Sequence, residues 1–266
     1  MDTLGEDEGA AGSREAEPGA VDADRAAGPS GVWAQAGRVV STFCAMAGWR
    51  LEHLNRVWVV GGLASIGLAH VLISRADWRL TVPYFIATLL FYYGGNAAVL
   101  CSSIPSRAVA RWGERGAFLR YETVAGLMFL NQGLGVGCMS ALHWPRWEGV
   151  FPAVALFAAG VALFGAGVLI KLWATLTVGI DIYFFRDMFL RRPIAPASFD
   201  GPYRFLRNPM YSLGQLQGYG YALLYLSFPG LVAAAAGQLL VYVFYWAAEG
   251  PFVRRVYGPR EAADAA

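Results

Sequence analysis

From Asn208 to Ala248 the chain carries no charged residue. A stretch of about 20 apolar residues suffices to cross a bilayer, and this one is about twice that length. Ser227-Phe228-Pro229-Gly230 lies near its middle and has the composition of a tight turn. The run therefore folds most simply into two antiparallel membrane helices. Such a hairpin returns its ends to one membrane face, with Arg204, Arg207 and Tyr211 at one end and Glu249 at the other. Polar groups gathered at the rim of an apolar bundle mark a candidate site.

The rest of the chain extends this character. It is 56% hydrophobic and 15% charged, against roughly 25% charged in soluble domains. Apolar spans can be drawn at about 57–73, 82–101, 123–142, 150–170, 210–227 and 229–248. Lipid offers the backbone no hydrogen-bonding partner, and without strand-like alternation the spans are expected to be helices. Residues 32–50 are mildly apolar and contain Arg38 and Arg50, which fits an interfacial helix leading into the first span. The expected fold class is all-α: a polytopic integral membrane helical bundle of about six transmembrane helices, ending in a helical hairpin.

A net charge of +2 conceals two opposed parts. Residues 1–31 hold eight acids against Arg14 and Arg25, a net −6, which leaves +8 for the remainder. This acidic, Gly/Ala-rich tail has too few large apolar residues to offset its ordering entropy and is expected to be disordered. It lacks the basic start and apolar core of a secretory signal, so no cleavage is expected. The expected organisation is a tail over 1–31 and a membrane domain over 32–266.

Basic residues give that domain a sidedness. With both termini in the cytoplasm, sixteen Lys and Arg fall on inside segments and three (Arg75, Arg79, Arg146) on outside loops. The positive-inside rule favours this orientation. It places the 171–209 loop and the C-terminal segment, and with them the candidate site, on the cytoplasmic side.

Cys44, Cys101 and Cys138 are far apart, and His53, His70 and His143 are isolated in sequence. No metal-ligand spacing exists among them, so no metal site is expected. Glycines inside the spans, Gly165-Ala166-Gly167 among them, admit two readings: close helix packing through small residues or contact with a ligand.

The longest polar segment, Gly179 to Arg207, is basic and aromatic-rich and holds Asp181, Asp187 and Asp200. Headgroup attraction accounts for Arg191 and Arg192 but less well for Asp181 and Asp187, acids interleaved with Tyr183, Phe184 and Phe185. Asp200-Gly201-Pro202 has the composition of a turn. Arg204 and Arg207, three apart, can share one helical face, although Pro209 ends any helix there. Paired guanidiniums suit a carboxylate or phosphate, because each offers a planar fork of donors. By position alone Glu249 is either an interfacial acid paired with Arg254 or Arg255 or a member of a site.

Asn208-Pro209-Met210-Tyr211, Ser227-Phe228-Pro229-Gly230-Leu231 and Glu249-Gly250-Pro251-Phe252-Val253-Arg254-Arg255-Val256-Tyr257 together resemble the C-terminal half of phospholipid N-methyltransferases. That pattern is N/H-P-M-Y, a membrane hairpin with S-P-x-G-L at its bend, then E-E-P-F. The segment also resembles the wider membrane methyltransferase superfamily that contains the isoprenylcysteine carboxyl methyltransferases. The resemblance covers about residues 160–258. It implies S-adenosyl-L-methionine as cofactor and a membrane lipid as substrate, with no nucleic-acid partner. It also implies cofactor-binding roles for Gly165, Gly167, Arg204, Tyr211 and Glu249, and catalytic roles for Glu249, Asp187 and Arg207. The chain departs from the pattern at Gly250, where the family has a second acid.

The function implied is methyl transfer to the amine of phosphatidylethanolamine or its methylated derivatives. Three other readings stay open at this point. The nearest is a prenyl-cysteine or other isoprenoid carboxyl methyltransferase. A membrane reductase using NADPH would draw phosphate contacts from the arginine-rich 186–207 loop. A non-catalytic transporter or scaffold would need strongly polar residues at the bilayer midplane, where the spans offer Asn96, Asn131, Gln132, Gln215, Gln217 and Gln238.

Overall fold

The computed structural model describes residues 31–46, 56–142, 152–194 and 200–258. Of the tail expected over 1–31, residues 1–30 lie outside these residues, as do His53, His143, Arg50 and Arg146. The chain divides into two units, residues 1–38 and 39–266. In the first, the described residues open helix α1 (Val32–Met46), with Val32 and Trp33 exposed.

Among its described residues the second unit is built of helices joined by turns, with no strand. Helix α2 (Arg56–Ile73) is followed by α3 (Trp78–Leu89), a π-helical turn (Leu90–Gly94) and α4 (Gly95–Leu100). Asp77 starts α3 by accepting a hydrogen bond from the Arg79 N–H at 2.9 Å, satisfying one of the donors that a helix start leaves open. Helix α5 (Ile104–Ala141) is kinked at Gly113, whose φ of 69° only glycine adopts without strain. Helix α6 (Ala153–Val178) is followed by two short helices, α7 (Ile180–Tyr183) and α8 (Arg186–Leu190). The hairpin is α9 (Leu216–Leu224) and α10 (Phe228–Phe244); α10 continues through a second π-helical turn (Tyr245–Glu249) into α11 (Gly250–Val256).

Among the described residues three helical stretches are long and apolar enough to cross a membrane: Ile104–Ala141, Ala153–Val178 and Phe228–Val256. Over its described residues the protein is an all-helical integral membrane protein. The apolar runs drawn at 57–73 and 82–101 form α2 and the α3–α4 stretch. The run drawn at 210–227 is helical as α9 only over Leu216–Leu224. Its first residues are used by a turn around Pro209, which has no N–H to donate.

Helix α6 shows why the hairpin sits where it does. Phe157, Val161, Leu169 and Trp173 are exposed, an apolar face that suits lipid. Its small residues meet α9 instead: a Cβ placed on Gly160 would lie 3.0 Å from the Gly220 carbonyl oxygen, and one on Gly220 would lie 2.2 Å from the Phe164 nitrogen. Backbones approach this closely only where side chains are absent. At the bend of the hairpin, Ser227 caps α10, its Oγ accepting from the Gly230 N–H at 3.1 Å. His70 is packed within the bundle, its Nδ1 3.3 Å from the Cys138 sulfur.

Candidate active site

Pro209 is fully buried, and the chain wraps around it. The Tyr211 and Ser212 amides both donate to the Asn208 carbonyl, at 3.2 and 3.0 Å, and the Gly214 amide donates to the Pro209 carbonyl at 2.8 Å. Helix α10 holds this turn from the side. Gln238 Nε2 donates to the carbonyls of Tyr211 and Ser212, at 3.4 and 3.5 Å, while its Oε1 accepts from the Tyr219 hydroxyl at 2.6 Å.

So fixed, Tyr211 directs its hydroxyl to Glu249 Oε2 at 2.6 Å. Glu249 is the last residue of the π-helical turn that ends α10. Such a turn inserts one extra residue into the helical repeat and re-aims the side chains after it. The Tyr211 ring also meets Tyr245 edge-on at 6.1 Å, so both ends of the π turn contact the same tyrosine.

Asp187 approaches from the polar loop. It is buried in α8, a helix entered through Phe185 in the left-handed region at φ 59°. Its Oδ1 accepts from the Met188 N–H at 2.8 Å and its Oδ2 accepts from the Tyr257 hydroxyl at 3.3 Å. Burial raises the carboxyl above the ordinary aspartate range, against the lowering effect of those two donors. Burial and the adjacent Asp187 push the Tyr257 phenol up to about 12. Tyr203 is raised by burial first and by the Glu249 carboxylate second.

Tyr92 and Asp187 lie within electrostatic reach of Glu249. Tyr92 stands on the first π-helical turn, so both π turns supply a residue to one place. Tyr92 and Tyr183 both pack against the Phe129 ring, at centroid distances of 5.5 and 5.8 Å. The arrangement joins two carboxyl groups to several ring faces. Carboxylates attract an ammonium by charge, and ring faces attract onium groups through their quadrupoles.

Of the residues singled out in the sequence, Tyr211 and Glu249 are bonded, and Asp187 stands near them. Arg204, the end of a 3-10 turn (Gly201–Arg204), and Arg207 are exposed. Gly167 is in tight packing, since a Cβ there would lie 2.2 Å from the Gln217 nitrogen. Gly165, two residues earlier, faces open space. Gly250 is buried, and a Cβ there would lie 3.0 Å from the Tyr245 carbonyl oxygen, so the π turn itself restricts what fits.

The loop cations have partners in the protein. Arg186 pairs with Asp181 and lies over the Phe118 ring. Arg191 donates to the Ser102 carbonyl, and Arg192 pairs with Glu114 at 2.6 Å. These contacts tie the loop to the start of α5, a role that headgroup attraction alone does not describe. Sequence reasoning assigned no role to Tyr92, which lies in no motif, or to Tyr257, which ends the Glu249–Tyr257 motif segment; only the fold brings them to the carboxylates.

Residues 155–260 match the model of the phospholipid methyltransferase family. This segment is similar to the phospholipid methyltransferase family. Its match runs from α6 through α11 and includes Tyr211, Asp187 and Glu249. The chain is 32% identical over 233 residues to the phosphatidylethanolamine N-methyltransferase of Candida dubliniensis, covering 79% of this chain and 24% of that protein. To the protein of the same name from Neurospora crassa it is 27% identical over 149 residues, covering 55% of this chain and 15% of that protein. To that of Lodderomyces elongisporus it is 31% identical over 118 residues, covering 44% and 13%. The chain thus spans a quarter or less of the length of these curated relatives. No solved structure matches it.

Proposed function

We propose that this protein transfers a methyl group from S-adenosyl-L-methionine to the amine of phosphatidylethanolamine or its partly methylated forms. The observation that carries the reading is the Tyr211–Glu249 hydrogen bond of 2.6 Å beside an aromatic cluster, with Asp187 within electrostatic reach. Both partners lie within the segment shared with the family.

When bound, S-adenosylmethionine supplies an electrophilic methyl group on a sulfonium. The residues present suit it: Glu249, held by Tyr211, offers a carboxylate for the ammonium of its methionine end, and Tyr92 and Tyr183 offer ring faces to a sulfonium or methylammonium. Methyl transfer is an in-line displacement, so the protein's task is alignment and exclusion of water more than covalent catalysis. The acceptor nitrogen has to shed a proton before it has a lone pair to use. Asp187, whose carboxyl burial makes more basic, is the group suited to receive that proton. Arg204 and Arg207, exposed at the rim, suit the lipid phosphate, with the acyl chains left between helices. Gly165, open on α6, leaves room for the cofactor, whereas Gly167 serves the contact with α9.

The sidedness read from the basic residues supports both termini and the site at the cytoplasmic face. The experiment is direct. Purified protein in phosphatidylethanolamine vesicles is incubated with methyl-labelled S-adenosylmethionine, and the lipids are separated. Label in the headgroup amine is expected; label only in a prenyl-cysteine ester, offered in a parallel incubation, would replace this substrate with the carboxyl acceptor.

A further inference from the structure

Lys171 is the chain's single lysine, among twenty arginines. It lies in α6, seven residues before the helix ends at Val178, so about 10 Å inside that end. Its exposure is 5%, so the side chain turns into the protein and not toward lipid. The stem passes Gly214 of the Pro209 turn: a Cβ at Gly214 would lie 2.8 Å from Lys171 Cγ and 3.4 Å from Cε. Beyond it, Nζ sits 5.5 Å from the centre of the Phe129 ring. Among the described residues Lys171 has no carboxylate partner.

A buried ammonium that meets a ring and no carboxylate among the described residues is incompletely compensated, since burying a charge without a counter-charge is costly. Ionisable groups inside membrane spans that persist despite this cost mark places where something charged binds. The position specifies the ligand further. Phe129 touches Tyr92, and Tyr92 lies within electrostatic reach of Glu249. One aromatic wall therefore carries a cation at one end and a carboxylate at the other. That polarity matches a zwitterion.

We propose that Lys171 binds the oxyanion end of a zwitterionic ligand whose ammonium end faces Glu249. The inference rests on the methyltransferase reading above, and both ligands of that reading fit the description. S-adenosylmethionine joins an α-ammonium to a carboxylate, and phosphatidylethanolamine joins an ammonium to a phosphodiester. Arg204 and Arg207 do not substitute for Lys171, being exposed at the rim while Lys171 stands within the bundle.

The test compares full-length wild type with Lys171→Met and Lys171→Arg. Equilibrium dialysis measures binding of S-adenosylmethionine and of its decarboxylated analogue; KM is measured for phosphatidylethanolamine vesicles; thermal unfolding is followed with and without ligand. Lys171→Met is expected to weaken one ligand by about tenfold or more, the loss of one charge-assisted contact, with Lys171→Arg recovering part of it. A loss seen for S-adenosylmethionine and not for the decarboxylated analogue assigns the carboxylate, and a rise confined to the lipid KM assigns the phosphodiester. Ligand-free Lys171→Met should unfold no earlier than wild type, because it removes an uncompensated charge, and should lose the shift produced by that ligand. Unchanged affinities, or a Met variant that misfolds or unfolds earlier while keeping the ligand shift, would overturn the proposal in favour of a structural lysine. A wild-type chain that methylates no lipid would refute the methyltransferase reading instead, before any variant is compared.

Discussion

Tyr211 and Glu249 stand 38 positions apart and meet through a hydrogen bond of 2.6 Å, the phenol donating to the carboxylate. Two local devices make the meeting possible. The turn around Pro209 presents the tyrosine, and the π-helical turn at the end of α10 presents the glutamate. Gln238 holds the first device against the helix that carries the second.

Tyr211→Phe keeps the ring contact with Tyr245 and removes the donor to Glu249. A hydrogen bond to a charged group contributes about 1.5–3 kcal/mol, so affinity for S-adenosylmethionine should fall roughly tenfold to a hundredfold. Equilibrium dialysis reads this directly. Equal affinity in the variant would mean that Glu249 does not depend on the tyrosine for its orientation.

The two glycines of α6 should behave oppositely. Gly167→Ala drives a methyl group onto the Gln217 backbone, and overpacking of this kind costs about 1–3 kcal/mol or more. Gly165→Ala meets nothing within 4 Å and should leave the unfolding midpoint unchanged while reducing cofactor affinity. If Gly165→Ala changed neither, the open space beside it would have no ligand-binding role.

Gly250→Glu restores the acid that the family pattern carries, yet the structure predicts no gain. The new Cβ would press on the Tyr245 carbonyl at 3.0 Å and distort the π turn that aims Glu249. We expect a loss of about 1–3 kcal/mol in stability and lower methyl transfer, read by thermal unfolding and by label incorporation. A variant more active than wild type would show that the turn tolerates the acid.

Asp187 gives a pH dependence whose sign follows from its burial. Its carboxyl is raised in the folded protein, so the fold favours the protonated form. The associated stability is fully present below the ordinary aspartate value of about 3.9 and is lost as pH rises through the higher folded value. Asp187→Asn should flatten this part of the stability profile, measured as unfolding midpoint against pH in detergent. An unchanged slope would place the titration on another group.

The sequence carries the helical class and the C-terminal hairpin because both follow from bulk properties, an uncharged run too long for one crossing and a turn at Ser227–Gly230. It also carries Tyr211 and Glu249, since each sits in a motif at an end of that run. It does not carry the pairing of Asp187 with Tyr257, which joins residues 70 positions apart. Nor does it carry either π turn, because one inserted residue leaves the apolar pattern unchanged. Gly165 and Gly167 look alike in sequence and are separated only by what α9 places opposite them. Lys171 reads as one more basic residue near a span end until the fold turns it inward.

The most direct test of the central claim pairs wild type with Glu249→Gln in phosphatidylethanolamine vesicles supplied with methyl-labelled S-adenosylmethionine, after both are shown to be folded. The account predicts label in the lipid amine for wild type and a loss of at least about tenfold for Glu249→Gln, the scale of one charge-assisted contact. Label entering the amine equally in both proteins would contradict it, because the site would then lie elsewhere.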